Sequence, residues 1–322
     1  MNIRRQKTED RGLRLVCRSA ALFINESGIA ASNHQSSVLR PQSSERGFTL
    51  VEMIVVMVIT GIIGGMVAIF IKSPIQGYMD SARRAELTDI ADTALRRLAR
   101  DIRTAVPNSI RLPATSCTGS PCFVEFIPTI NGGRYRADTG GYNNILSFGT
   151  GGTTRFDIIG AGIPIVVNTD FIVIGSTQSS GAPPYDQSTT GVLRRVTNMT
   201  PANTAVIFAG PVLPVWAEVQ GQRFDVVDGT QQAVTYACEN VSTVGGEGTG
   251  TLKRYAAYGF VTPQPALTAM GTGATLADRV SDCSIAYDAF NQRNGLLAIR
   301  LGITRGGESV SLYHAIHVNN VP

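Results

Sequence analysis

One carboxylate stands out because it lies inside a long apolar run. The 24 residues from Phe48 to Ile71 contain a single ionisable side chain, Glu52, the fifth residue of the run. An acid at the centre of a bilayer helix costs about 2.5–3.5 kcal/mol, and it costs less near a helix end, where the side chain reaches the interface. Glu52 therefore either reaches the membrane surface without a further role, or awaits a positive charge inside an assembly.

The residues before Glu52 favour the second interpretation. The stretch RGFTLVE, residues 46–52, resembles the processing site of type IV prepilins and pseudopilins. The resemblance implies that a prepilin peptidase and methyltransferase cuts between Gly47 and Phe48 and then methylates the amino group of Phe48. It also makes Glu52 the fifth mature residue, the position that directs the subunit into a filament.

The charges created by such a cut are consistent with this role. Cleavage gives Phe48 an α-amino group, whose ordinary pKa is about 7.7–8.0. In an apolar filament core this cation and the Glu52 carboxylate of a neighbouring subunit would each be costly alone, and leaving one of them unpaired costs about 3–5 kcal/mol. We therefore expect Glu52 to set the register of each incoming subunit.

The apolar run itself is long enough to cross a membrane, since about 20 apolar residues span the bilayer core. The segment from Leu50 to Ile71 meets that length, and Lys72 closes it. Its length and near absence of charge disfavour a helix buried in a large protein core. A secretory signal peptide has a shorter apolar core followed by a small-residue cleavage site, so this class is also disfavoured.

A second helical pattern runs from Ile75 to about Thr104. Apolar or small residues recur every three or four positions along it, at Leu87, Ala91, Ala94, Leu95, Leu98, Ile102 and Ala105. This spacing is typical of an amphipathic helix with one face towards a core. Pro74 predicts a kink or a new helix start, and Pro107 predicts the end of the helix.

Three glycines interrupt the apolar run and allow two interpretations. They lie at Gly61, Gly64 and Gly65. Glycines at this spacing either let a helix bend or melt, or let another helix approach closely within a membrane. The sequence leaves both alternatives open.

The chain after Arg111 changes to short β-rich runs separated by Gly, Ser, Thr, Asn and Pro. The runs lie at Asp157–Ile159, Pro164–Val167, Asp170–Ile174, Val192–Val196 and Ala205–Phe208. The clearest hairpin joins the alternating segments 297–303 and 310–318 through a turn at residues 305–308. We predict a head domain in which a mainly antiparallel sheet packs on the amphipathic helix.

The cysteines suggest an exported domain. Cys17 precedes the apolar run, and the remaining even number of cysteines fits a disulfide framework in an oxidising compartment. Cys117 and Cys122 bracket a tight turn that brings their Cα atoms within disulfide range. Cys238 and Cys283 then form the remaining pair, and a zinc site is less favoured at these spacings.

No enzyme class has a signature in this sequence. It lacks a Gly-x-Ser-x-Gly, a His-Glu-x-x-His and a P-loop motif. The glycine-rich stretch 246–250 is typical of a turn, and His314 and His317 point to opposite faces of one strand. Asp225 and Asp228 fall short of a calcium loop. We expect no catalytic residues, no metal and no cofactor.

The charge distribution gives no support for nucleic-acid binding. Of 28 Lys and Arg and 24 Asp and Glu residues, eight basic and four acidic ones lie in residues 1–47. The rest of the chain therefore holds 20 of each sign and has no basic excess. Charged residues make up 16% of the chain, compared with about 25% in average soluble domains.

These patterns together predict an α+β, pilin-like fold with a long N-terminal helix, half transmembrane and half amphipathic. The expected divisions are a leader at 1–47, a transmembrane and assembly helix at 48–71, an amphipathic helix at 72–106 and a periplasmic β-rich head at 107–322. The leader is longer than prepilin leaders usually are. We interpret residues 1–37 as an overextended start, with initiation at Val38 or Leu39.

Three functions remain open at this point. The C-terminal stretch 309–320 and the size of the head resemble minor pilins of the MSHA pilus and J-type pseudopilins of type II secretion systems. The resemblance implies a single-pass inner-membrane protein that later enters a pilus. Its partners would be the prepilin peptidase, other major and minor pilins, membrane lipid and the pilus assembly platform. A pseudopilin and a membrane-anchored periplasmic enzyme or binding protein are the alternatives.

Overall fold

The described part of the chain forms one long helix followed by two large antiparallel sheets and one small two-stranded sheet. The computed structural model describes residues 47–138, 144–177, 183–200, 204–288 and 294–320. Most of the expected leader, including Cys17 and the proposed start at residue 38 or 39, lies outside the described residues. The chain divides into two compact units, Met1–Ile62 and Ile63–Pro322. Helix α1 has the bounds Leu50–Arg103.

Helix α1 continues through Pro74 as a single element. Pro74 has no N–H to offer the carbonyl of Phe70, which costs this turn one hydrogen bond. The sequence left a kink or a new start open, and the structure shows neither a break nor a second helix. The intact turns on both sides keep the element continuous.

The helix ends at Arg103 because the next residues bond to a strand instead. The N–H of Val106 donates to the carbonyl of Ile127 at 2.8 Å, and the N–H of Thr129 donates to the carbonyl of Thr104 at 2.7 Å. These bonds draw the backbone out of the helical path, three residues before the boundary expected from the sequence.

The C-terminal half of α1 buries one apolar stripe. Its members, none more than 3% exposed, are Leu87, Ala91, Ala94, Leu95, Leu98, Ala99 and Ile102. The amphipathic face read from the sequence is thereby confirmed. Each fully buried leucine contributes about 1.5–3 kcal/mol, so this stripe is a main source of cohesion between helix and sheet.

In the described residues, fifteen strands follow the helix and are numbered in chain order. They are β1 (Ser116–Thr118), β2 (Cys122–Phe126), β3 (Thr129–Arg134), β4 (Arg155–Asp157), β5 (Phe171–Ile174), β6 (Leu193–Met199), β7 (Ala205–Phe208), β8 (Arg223–Val227), β9 (Val234–Glu239), β10 (Thr243–Val244), β11 (Glu247–Gly248), β12 (Gly250–Tyr255), β13 (Ala274–Asp288), β14 (Asn294–Arg305) and β15 (Glu308–Asn319). Short 3-10 turns occur at Pro183–Tyr185, Val215–Ala217 and Leu267–Ala269.

The first sheet packs against α1. Its strand order is β15-β14-β13-β12-β9-β2, with β1 added beside β13, and every pairing is antiparallel. Inward residues of these strands share one core with the buried helix stripe. The predicted α+β arrangement of a long helix on a mainly antiparallel sheet is confirmed.

The second sheet curls until its two outer strands meet. The order is β3-β8-β5-β6-β7-β4, and Tyr135 forms an isolated bridge with Ile158 just beyond β3 and β4. The N–H of Ile159 donates to the carbonyl of Arg134 at 2.8 Å. Aromatic rings fill the interior, with Phe156 at 5.1 Å from Phe224 between ring centroids. This closure covers edges that would otherwise be open.

Several strands fall where the sequence placed them, and one does not. The runs at 170–174, 192–196 and 205–208 and the C-terminal hairpin are confirmed, whereas the strand at 155–157 begins two residues early. The strand expected at Pro164–Val167 is wrong, because this segment is irregular. The carboxylate of Asp170 accepts the N–H of Val166 at 2.7 Å, and this loop bond replaces a strand partner.

A buried ion pair holds the start of the head to its loops. The Arg111 Nε atom lies 2.9 Å from Oε2 of Glu125, and a second guanidinium nitrogen lies 3.1 Å from Oε1. Tyr258 donates its hydroxyl to the same carboxylate at 3.1 Å. Burial raises the pKa of Glu125, and the Arg111 charge and hydrogen bonds oppose that rise. The guanidinium also stacks 3.6 Å above the ring of Tyr185.

Two disulfides occur in the described chain, and the four cysteines that form them lie in one region of the first sheet. Cys117 bonds to Cys122 with a Cα–Cα distance of 5.3 Å, and Cys238 bonds to Cys283 at 6.5 Å. Cys122 lies directly opposite Cys238 on the neighbouring strand. A different pairing is therefore within reach, and the observed one is a specific outcome of the fold.

Tryptic mapping without reduction tests this pairing, because trypsin sites separate the second pair but not the first. We expect residues 112–134 as one peptide with an internal disulfide. We also expect residues 224–253 linked to residues 280–293. A link between 112–134 and either of the other two peptides would contradict the pairing, and a reduced digest provides the control.

Asp225 on β8 is a carboxylic acid whose buried position disfavours its charged form. It lines a cavity of about 330 Å³ with Gly132, Arg134 and Arg223. Burial raises its pKa from 3.8 to about 6, and the charge of Arg223 only partly opposes the rise. The folded state therefore binds this proton more tightly than the unfolded chain, so its stability falls as the pH rises from about 4 through 6.

The substitution Asp225→Asn removes this pH dependence. We expect the variant to unfold with the same free energy as wild type near pH 4 and to be about 2–3 kcal/mol more stable near pH 8. Chemical denaturation of the purified chain in detergent measures this.

Asp228→Asn is the matched control for that experiment. Burial opposes ionisation of Asp228, but hydrogen bonds from Thr230 and Gln231 outweigh it and lower the pKa. This variant should therefore lose stability above about pH 4. If Asp225→Asn followed the wild-type pH profile, the raised pKa of Asp225 would be refuted.

Candidate processing and assembly segment

The expected cleavage point lies in exposed chain just before α1. Gly47 and Phe48 are not helical, and 77% of Phe48 is exposed. A peptidase needs an extended, accessible backbone, which exposed non-helical chain provides. Apart from Gly47 itself and its two chain neighbours, no described atom lies within 4 Å of where a Cβ on Gly47 would be placed. The folded chain therefore gives no packing reason for glycine at this position.

The first turn of α1 is held by a local hydrogen bond that the sequence analysis missed. The Thr49 hydroxyl oxygen accepts the backbone N–H of Glu52 at 3.2 Å, and the Thr49 carbonyl accepts the N–H of Met53 at 3.1 Å. Thr49 is thus the N-cap, and Glu52 occupies the position that glutamate fills in a capping box. The signal was the spacing Thr-x-x-Glu at residues 49–52.

This placement gives Glu52 a local role beside the expected one between subunits. The N-terminus of a helix carries a partial positive charge, and an acid in the first turn is stabilised there by about 0.3–1 kcal/mol. The carboxylate is exposed, so it remains available to a second positive group. Capping and charge pairing are therefore compatible in one side chain.

The apolar half of the helix has no cover within the described chain. Residues 47–79 are all exposed, and this part of α1 is long and apolar enough to cross a membrane. A surface this apolar requires lipid or other helices around it. The Thr60 hydroxyl donates to the carbonyl of Val56 at 2.7 Å, so this polar group is satisfied inside its own helix, as a membrane requires.

The glycines of this half have no packing partner in the described chain. Apart from the adjacent backbone of the helix itself, no described atom lies within 4 Å of a Cβ placed on Gly61, Gly64 or Gly65. Bending and close approach of a second helix both remain explanations for these residues.

The candidate metal-binding residues considered in the sequence analysis do not come together in one site. His314 is half-buried and His317 is exposed on strand β15. Asp228 accepts the N–H and hydroxyl of Thr230 at 2.7 and 2.6 Å, as a turn residue does. The described residues contain no group of three or more His, Cys, Asp or Glu that could hold a metal.

The glycine-rich loop packs on the C-terminal hairpin. The carbonyl of Gly246 accepts the N–H of Gly307 at 2.9 Å, and the Glu247 carboxylate accepts the N–H of Gly306 at 2.8 Å. Its backbone groups face another part of the same chain. The loop therefore holds the hairpin turn in place.

Comparison with known families identifies the N-terminal segment. Residues 42–68 match the family model described as the prokaryotic N-terminal methylation motif. The chain carries the processing signal of type IV pilin-like proteins. The match covers the apolar half of the helix and leaves the head outside it. No curated protein and no solved structure matches the chain.

Proposed function

We propose that this protein is a minor pilin of an MSHA-type pilus, cut after Gly47 and methylated at Phe48. The methylation motif at the capped start of a bare, membrane-length helix supports the cut, the methylation and the membrane anchor. The choice of an MSHA-type minor pilin rests on the resemblance of residues 309–320 and on the size of the head. The precursor sits in the inner membrane with its head in the periplasm. Two disulfides suit that oxidising compartment. The role is structural, without catalysis.

Assembly on this proposal exchanges lipid for other helices. The exposed apolar residues of α1 leave the bilayer and pack among the same segments of neighbouring subunits. The α-amino group of Phe48 then meets the Glu52 carboxylate of a neighbour in a medium of low dielectric constant. Each charge compensates the desolvation of the other, and this match selects one register.

The size of the head favours a position at an end of the filament over one along its shaft. It contains two sheets with separate hydrophobic cores, which makes it bulky for a closely repeated subunit. The C-terminal stretch 309–320 and the head size also resemble minor pilins. A rare subunit that initiates or caps the pilus fits these features.

Processing can be tested at Gly47. We expect the protein from membranes to begin at Phe48 with one added methyl group, as read by N-terminal sequencing and intact mass. Gly47→Val should leave the precursor uncut, since the peptidase loses its recognition residue while the chain has space for the side chain. Gly61→Ala, also in open space, is the control and should be processed normally. A mature N-terminus upstream of residue 47 would refute the proposal.

The charge and capping roles of Glu52 can be separated by a set of variants. Glu52→Gln preserves a capping-box side chain but removes the charge, whereas Thr49→Val removes the cap and preserves the charge. We expect Glu52→Gln to reduce incorporation into sheared pili on the order of 100-fold, from the cost of one unpaired buried charge. Thr49→Val should reduce it only slightly, because a cap contributes about 1 kcal/mol.

The readout is the amount of the protein in the pilus fraction relative to the membrane fraction. Glu52→Asp, which keeps the charge on a shorter side chain, should restore part of the incorporation. Wild-type incorporation of Glu52→Gln would show that charge pairing does not direct assembly.

A pseudopilin of a type II secretion system is the second candidate, because the matched motif at residues 42–68 is common to both classes. Deletion of the gene distinguishes them. Loss of surface pili supports the pilus role, and loss of secreted enzymes with normal piliation supports the secretion role.

A further inference from the structure

Strand β15 leaves a long, regular edge open. It pairs with β14 from residue 308 to residue 319 without a register shift, and it is the last strand in the order of its sheet. In the described chain, no backbone hydrogen bond reaches the outer side of residues 309–317. The edge therefore offers a row of free donors and acceptors.

The hairpin turn determines which residues of β15 direct their backbone N–H and C=O groups away from β14, towards the open edge. Gly306 and Gly307 have φ angles of 59° and 80°, which is the conformation of a two-residue type I′ turn. Residues 305 and 308 next to it form a hydrogen-bonded pair, so the pairs alternate from there. The backbone groups of Ser309, Ser311, Tyr313, Ala315 and His317 consequently face outward.

As far as the chain is described, this edge lacks the features by which proteins usually prevent strand pairing. Native edges are protected by Lys or Pro, by bulges, or by covering elements. Residues 309–317 read Ser-Val-Ser-Leu-Tyr-His-Ala-Ile-His, without proline, lysine or acid. The side chain of Tyr313 is 67% exposed beside the edge. An unprotected strand of this length suggests a binding partner.

A basic groove runs beside the edge. A cavity of about 360 Å³ is lined by Asp92, Arg96, Ala99, Arg100, Arg103 and His314. The three arginines lie at i, i+4 and i+7 and so form one stripe of α1. Asp92 lies 2.6 Å from Arg96. Within the described chain, neither Arg100 nor Arg103 has a carboxylate within 4 Å.

The turn end of the hairpin is already occupied by ion pairs. Arg84 lies 2.7 Å from the Glu308 carboxylate, and Arg305 lies 2.8 Å from that of Glu86. The open part of the edge therefore starts beyond Glu308, where the free arginines also lie. Charge also argues against a second copy on this edge, since two such grooves would bring both sets of arginines together.

We propose that the edge of β15 binds an extended acidic segment of another protein, which adds a strand to the first sheet. Backbone hydrogen bonds to residues 309–317 supply the affinity common to any strand. Acidic side chains at alternate positions point towards Arg100 and Arg103 and supply the selectivity. This surface does not depend on processing at Gly47, so its test is independent of the proposed function.

The test uses a short peptide of alternating Glu and Thr as the probe, with blocked ends, and the full mature chain in detergent. A peptide of alternating Lys and Thr is the charge control. A Glu/Thr peptide N-methylated at every residue is the backbone control, because it keeps the charge and has no backbone donors on either edge. Fluorescence anisotropy at low and physiological salt measures binding. We expect only the unmodified Glu/Thr peptide to bind.

Two pairs of variants locate the site. Ala315→Pro removes an outward N–H that β14 does not use, and Ala315→Val is its control. Arg100→Glu reverses the groove charge, and Arg97→Glu, on the same helix outside the groove, is its control. We expect the first member of each pair to lower affinity at least about tenfold and each control to stay within about twofold. Arg100→Glu should also gain affinity for the Lys/Thr peptide.

Several outcomes would overturn the proposal. If the N-methylated peptide bound as tightly as the unmodified Glu/Thr peptide, binding would rest on charge attraction alone. If the Lys/Thr peptide bound as tightly, the surface would not select acidic segments. A dimer in sedimentation that Ala315→Pro disperses would assign the edge to a second copy. If Ala315→Pro failed to unfold cooperatively, the N-methylated peptide on wild type would still decide the backbone contribution.

Discussion

The burial of one stripe of α1 against the first sheet is the interaction on which the head depends. The apolar side chains of this stripe, from Leu87 to Ile102, lose nearly all solvent contact there. They meet inward residues of β2, β9 and β12–β15 in a single core. The stripe fixes how the helix lies across the strands. It thereby places the opposite flank of the same helix, with Arg100 and Arg103, beside the open edge of β15.

The first half of the same helix has a surface suited to a different environment. Before Lys72 the apolar residues surround the helix, and none of them is covered within the described chain. A helix that is apolar on all sides suits lipid or a bundle of similar helices. The single acid sits in the first turn, where Thr49 caps the backbone and the helix dipole favours negative charge. This position stabilises a carboxylate within an otherwise apolar half of the helix.

The head gains its unique arrangement from a few buried polar contacts. The pair of Arg111 and Glu125 ties β2 to the loop around Tyr258 and to the turn at residues 183–185. Arg194, almost fully buried, donates to backbone carbonyls of several residues, among them Pro211 and Gly191. Such contacts are satisfied in one geometry only. They hold long irregular connections in place where hydrophobic contact alone would allow alternatives.

The sequence by itself determined the features that depend on near neighbours in the chain. The apolar run, the motif at residues 46–52, the stripe from Leu87 to Ile102 and the C-terminal hairpin are all periodic or local, and each matches the structure or the family comparison. The Thr49 cap was also visible as a local spacing, although it was overlooked. The strand expected at Pro164–Val167 failed because the Asp170 carboxylate captured a backbone N–H that a strand would have used.

Only the tertiary structure decided what depends on distant partners. Three features join residues that are far apart in sequence or in different strands. They are the proximity of the four disulfide-bonded cysteines, the closure of the second sheet at Tyr135 and Ile158, and the burial of Glu125 against Arg111. The groove beside β15 combines a helix and a strand separated by about 200 residues. No local sequence pattern encodes contacts between such distant residues, because these contacts follow from which faces pack together and from the order of strands in a sheet.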